Sequence, residues 1–301
     1  MQKKNQLIGT LFLLAAAVLW GFSFVFQNEG VDILDPFAFN GIRSLLGSFA
    51  LIPVIFVLYI ISKRNGTYHK PTKSETKTLL FGGLCCGVVL CIAGTLQTLG
   101  IKQGAGEAGF ITTIYIVFVP ILGVFLHRKI EKRVWVSVMM CFVGLYWLCG
   151  SFVFNLNQIY LLLCAFFFAI HILVIDHFAP KTDGVKLSAL QFLVVGIIDC
   201  IIMLFVDCPT WNEVLLCFWP NLAYSGFVSC SIAYTCQIVG QKYISATMGA
   251  LLMSLESVFA VIGGWIMQGD AMSAMQILGC AVIFAAIVLV QIELPGSKNK
   301  N

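Results

Sequence analysis

Long apolar stretches alternate with short polar segments along the whole chain. A helix of about 20 apolar residues is long enough to cross a hydrocarbon core of about 30 Å. Dividing the sequence at charges, prolines and glycine clusters predicts ten membrane-spanning helices, at residues 7–27, 37–61, 78–99, 106–126, 134–150, 157–177, 187–206, 217–239, 245–268 and 274–292. The predicted fold is an all-α integral membrane protein with ten transmembrane helices.

The positions of the basic residues favour the same even count. Short cytoplasmic loops collect Lys and Arg, whereas Asp and Glu have little influence. With a cytoplasmic N-terminus, all 18 basic residues fall in cytoplasmic segments except Lys102, in an outer loop, and Arg43, within the second span. One span more or fewer before residue 130 would place most of the later basic residues outside. We therefore expect both termini in the cytoplasm and the protein in the cytoplasmic membrane.

The composition excludes a water-soluble domain. Hydrophobic residues make up 59% of the chain and charged residues 11%, whereas soluble domains carry about 25% charge. The net charge of +4 is explained by the basic cytoplasmic loops, so we expect the lipid bilayer, and no nucleic acid, as a partner. Most of the 12 cysteines fall inside apolar stretches, and no Cys/His spacing typical of a metal site occurs. We expect neither a metal nor a cofactor, and the oligomeric state is left open.

The two halves of the chain resemble each other weakly. Residues 7–150 and 157–292 each contain five predicted spans, and we interpret them as two domains. The best match sets residues 109–125 of the fourth span against residues 249–265 of the ninth. A weaker match sets four residues of the first span over four of the sixth, namely Ala17, Trp20, Gly21 and Ser23 over Ala165, Phe168, Ala169 and His171. Chance similarity among apolar helices is the alternative.

An odd number of spans in each half has a topological consequence. The second half must cross the membrane in the opposite direction to the first, which gives two inverted five-helix repeats. Inverted repeats in transporters place a solute site near the midplane, and rocking about that site gives alternating access. The architecture therefore favours a transporter.

Four of the ionisable residues within the predicted spans stand out, because a charge there costs about 2.5 kcal/mol or more on insertion scales. Glu256 lies near the middle of the ninth span, on a face of small residues that could line a cavity. A carboxyl group deprived of water favours its neutral form, which suits a proton carrier; a hydrogen-bonded structural role is the alternative. Arg43, in the outer part of the second span, could hold an anionic group of a solute or pair with a structural acceptor.

Asp199 and His171 are the other two ionisable residues. Asp199, in the seventh span, could be a second proton or cation site, or its side chain could reach the outer boundary of the membrane. His171, in the sixth span, could titrate near neutral pH, although a lone helical histidine is more often structural. Further candidates for contact with a solute, or for helix packing alone, are Trp20, Ser23, Tyr115 and Tyr234.

Several stretches resemble the EamA repeats of the drug/metabolite transporter superfamily. The first repeat is matched by AAAVLWGFSFVFQ (15–27), DPFAFNGIRSLLGSFAL (35–51) and AGFITTIYIVFVPILGVFL (108–126). The distal half of the second repeat is matched by SCSIAYTCQIVGQKYISATMGALLMSLESVFAVIGGWIMQGD (229–270). The resemblance implies a ten-span carrier built from inverted repeats, whose relatives move amino acids, other metabolites, nucleotide sugars or toxic compounds, often outward. Arg43 and Glu256 match an arginine and a glutamate that are common in the family.

We therefore expect a secondary transporter that moves a small metabolite, amino acid or drug-like solute across the cytoplasmic membrane by alternating access. Export is the expected direction, and proton coupling through Glu256 is the coupling hypothesis. No GxxxxGK nucleotide-binding motif occurs, so ATP is not the expected energy source.

Two alternative functions differ in class from a transporter. The first is a transporter-like membrane sensor or assembly subunit. The second is an intramembrane lipid-modifying enzyme, which would need a group of catalytic residues at one depth. The four ionisable residues lie on four different predicted helices, so we expect no enzymatic activity.

Overall fold

We describe the fold from a computed structural model, which covers residues 2–128, 130–149, 155–269 and 273–291. Gly150 and Ile292, which end two predicted spans, and the basic residues Lys129, Lys298 and Lys300 lie outside the described residues. Within the described ranges all regular secondary structure is helical and no strand occurs.

The first half of the chain forms six helices: α1 (Gln2–Gly30), α2 (Pro36–Arg64), α3 (Lys73–Gly100), α4 (Ala105–Thr113), α5 (Tyr115–Phe125) and α6 (Lys132–Cys149). The second half forms α7 (Leu156–Phe178), α8 (Gly184–Val206), α9 (Trp211–Cys217), α10 (Tyr234–Gln241), α11 (Ala246–Met253), α12 (Leu255–Gln268) and α13 (Ala274–Gln291). Two π-helical segments, Phe218–Leu222 and Tyr224–Ala233, lie between α9 and α10. Short 3-10 turns follow α3 and α7.

These helices account for the predicted spans. In the described part of the chain, seven helices or helix pairs are long and apolar enough to cross a bilayer, and there are eight if the bent pair Trp211–Leu222 and Tyr224–Gln241 is counted as one span. The fifth and tenth predicted spans correspond to α6 and α13, which are shorter, at 18 residues each. The all-helical membrane fold is thus confirmed, while the count of ten crossings stays a prediction.

Polar side chains define where several helices begin. Asp35 accepts a hydrogen bond from the Phe37 amide, and Pro36 occupies the first position of α2. Since the first four amides of a helix have no partner inside it, such side chains satisfy donors that would otherwise be unpaired. Capping residues of the same kind begin α3, α7, α8 and α9, and they are Thr72, Asn155, Asp183 and Thr210.

The fourth and ninth spans are each broken at one residue. Ile114 separates α4 from α5, and Ser254 separates α11 from α12. Local hydrogen bonds tighten both breaks, since the Ile114 amide donates to the Ile111 carbonyl and the Ser257 amide to the Ser254 carbonyl. The two breaks fall opposite each other in the match between residues 109–125 and 249–265.

Helix packing repeats between the two halves. Helix α1 packs against α12 and α10, and its counterpart α7 packs against α5 and α3. Helix α2 packs against its own counterpart α8, and α6 against α13. The same set of neighbours is therefore obtained when each helix of one half is exchanged for its counterpart in the other.

Two close contacts between a glycine and a leucine are also equivalent in the two halves. A Cβ atom added to Gly100, at the end of α3, would lie 2.6 Å from Leu161 Cγ on α7. A Cβ atom added to Gly240, near the end of α10, would lie 2.7 Å from Leu13 Cγ on α1. Leu13 and Leu161 lie opposite each other in the register of the weaker sequence match. Small residues at such positions let membrane helices approach closely.

The π-helical segment takes up a one-residue difference between the halves. Gly87 of α3 packs against α8, and Gly226 packs against α2 in the equivalent way. Counted along the sequence, Gly226 follows Gly87 by one residue fewer than Gly240 follows Gly100. The second half therefore has one extra residue between its two glycines. Most of the π-helical segment Tyr224–Ala233 lies between Gly226 and Gly240, and a π-bulge adds residues to a helix without reversing its direction.

The apolar core runs through the centre of the bundle and includes residues from both halves. A second, smaller cluster lies where α3, α7, α8 and α10 meet, and its fully enclosed members are Cys86, Ile175, Ala179, Leu187 and Ile238. The exposed apolar side chains are concentrated on the outer faces of the helices, such as Phe56 on α2 and Phe205 on α8. This distribution is expected where lipid, rather than water, surrounds the bundle.

The expected orientation can be tested with one native cysteine. Cys208, between α8 and α9, is the exposed member of the described cysteines. With a cytoplasmic N-terminus and seven preceding crossings, Cys208 lies outside the cell. We expect a membrane-impermeant maleimide added to intact cells to label the wild type, and this label to be lost in Cys208→Ser. Labelling of Cys208 only after the membrane is permeabilised would contradict the orientation.

Candidate functional site

A cavity lies at the centre of the bundle. Its walls come from the first four and the sixth to ninth predicted spans, so both halves of the chain contribute. The aromatic wall residues include Trp20, Phe24, Tyr115, Phe168, Phe192 and Tyr234. The polar and charged wall residues include Gln27, Asn40, Arg43, Ser44, Gln97, Thr112, Ser229, Gln237 and Glu256. An apolar pocket with a few inward-facing polar groups is the usual form of a small-molecule site.

The cation in the wall is held by a neighbour on its own helix. Arg43 Nε and Nη2 both donate to Asn40 Oδ1, at 2.9 and 2.7 Å. The guanidinium also lies 5.4 Å from the centre of the Phe39 ring. Within the described residues, no carboxylate pairs directly with Arg43. The other N–H groups of the guanidinium are therefore available to a partner in the cavity.

Asp199 lies behind the cavity wall and completes this arrangement. The Asn40 amide nitrogen donates to Asp199 Oδ2 at 2.5 Å, so one amide side chain joins the arginine to the carboxylate. Thr95 donates to Asp199 Oδ1 at 3.0 Å, and Cys91 donates to the same oxygen at 3.4 Å. Because three donors face Asp199, its negative charge is compensated without water. We call Arg43, Asn40 and Asp199 the charge relay; it links α2 to α8.

Glu256 has a different environment. Its side chain is 4% exposed, and its hydrogen-bond contact is with Thr113 Oγ1 at a long 3.4 Å. The Thr113 hydroxyl also donates to the Gly109 carbonyl, at 2.6 Å. A hydroxyl group has one proton to donate. Because Thr113 donates that proton to the Gly109 carbonyl, its oxygen can only accept a hydrogen bond from Glu256. The two buried carboxyl groups therefore differ. Asp199 accepts three hydrogen bonds, whereas Glu256 has one long contact with Thr113 and the otherwise unpartnered Tyr115 hydroxyl nearby.

Five further polar atoms on the cavity wall lack a hydrogen-bond partner among the described residues. They are Trp20 Nε1, Gln27 Oε1, Ser44 Oγ, Tyr115 Oη and Gln237 Oε1. A buried polar group without a partner costs about 1–3 kcal/mol, so such groups are uncommon in folded proteins. Their concentration around one cavity, with both donors and acceptors present, suits a polar solute or water.

The structure brings five of the eight residues proposed from the sequence to the cavity wall: Trp20, Arg43, Tyr115, Tyr234 and Glu256. The other three lie behind the wall. Ser23 accepts a hydrogen bond from Gln27 at 3.1 Å, and Asp199 belongs to the charge relay. His171 is fully buried, with its Nε2 atom 3.1 Å from Gln191 Oε1 and its ring 6.0 Å from the Tyr234 ring.

Two glutamines of the cavity wall were not predicted. Gln97 on α3 and Gln237 on α10 occupy equivalent positions in the two halves. They lie in matching segments, Thr95-Leu-Gln97 and Thr235-Cys-Gln237. A search for amide side chains inside the apolar stretches would have found both. Among the described residues, no group of three or more metal-ligating side chains occurs.

Comparison with known proteins identifies the family. The profile of the EamA-like transporter family matches this chain twice, at residues 7–150 and 156–292. The chain belongs to the EamA-like transporter family. The helical bundle is therefore that of a membrane transporter.

Two of the relatives that this chain resembles are of similar length to it. An "Uncharacterized transporter" of Archaeoglobus fulgidus is 27% identical over 294 residues, which is 96% of this chain and 88% of the relative. The "Uncharacterized transporter YoaV" of Bacillus subtilis is 20% identical over 93% of this chain and 95% of its own length. A solved crystal structure superposes on 94% of this chain and 96% of its own, with a TM-score of 0.71 at 16% identity, which shows a shared fold.

The charge relay predicts the effect of removing its anion. Asp199→Leu leaves Arg43 without a compensating charge and leaves the donors of Asn40 and Thr95 unpaired. We expect a loss of about 3–5 kcal/mol of stability, the range for breaking a buried ion pair, measured as a lower Tm of the purified protein in detergent. Asp199→Asn keeps the shape and one acceptor and should lose less. Cys91→Ser, which keeps a donor, is the control; an unchanged Tm in Asp199→Leu would contradict the relay.

Proposed function

We propose that this EamA-like protein is a secondary transporter that exports a small metabolite, amino acid or drug-like solute by alternating access. The observation that carries the proposal is the central cavity, whose wall combines the Arg43 cation, the Glu256 carboxyl group and unpartnered donors and acceptors. The solute that suits this wall is amphipathic. Its anionic group would contact Arg43, and its apolar part would lie among the aromatic rings.

Alternating access is supported by the exchange of contacts between the halves. We treat residues 7–150 and 157–292 as inverted repeats. A conformational change that opens one side is then mirrored by the change that opens the other. The two glycine contacts suit this role, since Gly240 lies toward the lysine-rich end of the bundle and Gly100 toward the opposite end. Both contacts are formed together in this structure.

Proton coupling is supported by the contrast between Glu256 and Asp199. A carboxylate enclosed in the protein with one long hydrogen-bond contact is unfavourable, whereas the neutral acid can donate to Thr113. Opening of the cavity to water would stabilise the charged form of Glu256. The group would then take up or release a proton as access changes, while Asp199 keeps its charge through the relay.

Substitution of Glu256 tests the coupling. Proteoliposomes are loaded with a metabolite extract of the host cells, and the released compounds are identified by mass spectrometry with and without an imposed pH gradient. For one coupled proton, each unit of pH gradient supports up to about a tenfold solute gradient. We expect Glu256→Gln to abolish this stimulation, because the amide keeps the shape but cannot ionise.

The control for this experiment is Glu107→Gln, which changes an acid outside the cavity wall. Its response to the pH gradient should equal that of the wild type. An unchanged gradient response in Glu256→Gln would remove Glu256 from the mechanism. Release no faster than from protein-free liposomes, for every compound, would contradict transport itself.

The glycine contacts predict two variants with opposite effects. Gly240→Ala should separate α10 from α1 at the lysine-rich end, and Gly100→Ala should separate α3 from α7 at the other end. Overpacking of this kind costs about 1–3 kcal/mol, enough to shift access about tenfold. The reporter is the native Cys230 in the cavity wall, labelled with a membrane-impermeant methanethiosulfonate and quantified by peptide mass spectrometry.

We expect Gly240→Ala to raise labelling of Cys230 from the cytoplasmic side and Gly100→Ala to raise it from the outer side. Gly106→Ala is a matched control, since the nearest atom to its added Cβ would be 3.5 Å away. Cys230→Ser confirms that the signal comes from this residue. If both variants raise labelling from the same side, or neither changes it, the assignment of the two glycine contacts to opposite sides of the cavity is wrong.

A further inference from the structure

A second concave surface lies away from the central cavity, between the C-terminal half of α2 and the start of α8. We call it the α2–α8 groove. Its apolar end is formed by Ile52, Ile55 and Phe56, and its polar end by Tyr68, His69 and Lys186. Ile52 and Phe56 are 56% and 60% exposed, so the groove opens toward the surroundings of the bundle. No wall residue of the central cavity takes part in it.

The length of the groove matches one leaflet of a bilayer. It follows α2 from Ile52 to Ser62, which at 1.5 Å per residue is about 15 Å. Half of a hydrocarbon core of about 30 Å is the same distance. The groove therefore has the length of an acyl chain that ends at the membrane surface.

Aromatic and polar contacts fix the wall at the polar end. The loop after α2 folds back, and the Tyr68 ring packs edge-on against Tyr59 with 5.1 Å between their centres. Thr67 donates to the Ser62 carbonyl at 3.3 Å, and the Lys63 ammonium lies 5.2 Å from the centre of the Tyr59 ring. Tyrosine and lysine are typical of the level of the lipid headgroups.

The charge around the polar end is positive and unpaired. Lys186 lines the groove, and Lys63 lies beside it against the Tyr59 ring. Neither forms an ion pair with a carboxylate in the described ranges, and Arg64, Lys70 and Lys73 add positive charge to the adjoining segment of the chain. The two nearby acidic residues, Glu75 and Asp183, accept hydrogen bonds at the N-termini of α3 and α8. Glu75 accepts from the Thr72 amide and hydroxyl and lies 3.6 Å from His69 Nε2. Asp183, which lines the groove near Lys186, accepts from two amides at the start of α8. A ligand with a negative headgroup is thus complementary to this end.

We propose that the α2–α8 groove binds one anionic phospholipid of the cytoplasmic leaflet. The acyl chain lies along Ile52, Ile55 and Phe56, and the phosphate lies at Lys186 and Lys63. The bound lipid contacts α2, the helix that carries Arg43, but the proposal does not depend on the transport cycle. The binding energy comes from apolar contact along the acyl chain and from the attraction between the phosphate and the basic residues.

The test is native mass spectrometry of the purified full-length protein, titrated in detergent with phosphatidylglycerol or phosphatidylcholine of identical acyl chains. We expect the wild type to retain phosphatidylglycerol preferentially. Lys186→Gln should weaken this binding about fivefold without changing that of phosphatidylcholine. Lys77→Gln, the same charge change on α3 outside the groove, is the matched control. Ile55→Trp fills the apolar end and should weaken both lipids.

Three results would overturn the proposal. One is equal binding of the two lipids to the wild type. The second is an equal loss in Lys186→Gln and Lys77→Gln, because the basic surface as a whole would then attract the lipid. The third is displacement of phosphatidylglycerol by inorganic phosphate at the same concentration, because the site would then recognise a free anion without the acyl chain.

Discussion

A charge enclosed in a membrane protein persists only where other groups replace the water it has lost. In this protein the requirement is met by one amide side chain. Asn40 accepts from the Arg43 guanidinium through its oxygen and donates to Asp199 through its nitrogen, so a cation and an anion on α2 and α8 compensate each other. Arg43 can therefore face the cavity and still have N–H groups available to hydrogen-bond a partner there. The polarity of the cavity depends on this arrangement.

The scaffold around the cavity is nearly two-fold, whereas its chemistry is not. Helix neighbours, the breaks at Ile114 and Ser254, and the contacts of Gly100 and Gly240 are all exchanged between the halves. The ionisable groups have no such counterparts, since the position opposite Glu256 is Ile116. The packing is therefore repeated between the halves, whereas Arg43 belongs to the first half alone and Glu256 to the second.

The sequence predicted the helical segments closely, because hydrophobic length and the placement of lysines depend on the bilayer alone. Arg43 and Glu256 were also predicted as site residues, because ionisable residues are rare within apolar stretches. The partners of these groups were not predicted. Asp199 was interpreted as an ion site or a boundary residue because its contacts with Asn40 and Thr95 join residues far apart in the chain. The helix breaks and the π-helical segment likewise depend on tertiary packing, and Gln97 and Gln237 carry no charge to mark them.

The segment Tyr224–Ala233 has a consequence for how the two halves diverged. An added residue in a membrane helix would normally rotate every later side chain by about 100°, since 3.6 residues complete a turn. Because the extra residue is confined to a wider turn, Gly226 still faces α2 and Gly240 still faces α1. Their equivalents in α3, Gly87 and Gly100, face α8 and α7 in the same way. The second half can therefore carry an extra residue and still fit against the first. If α3 replaced the segment Tyr224–Ala233 and α10, the new helix would be one residue too short to make both glycine contacts.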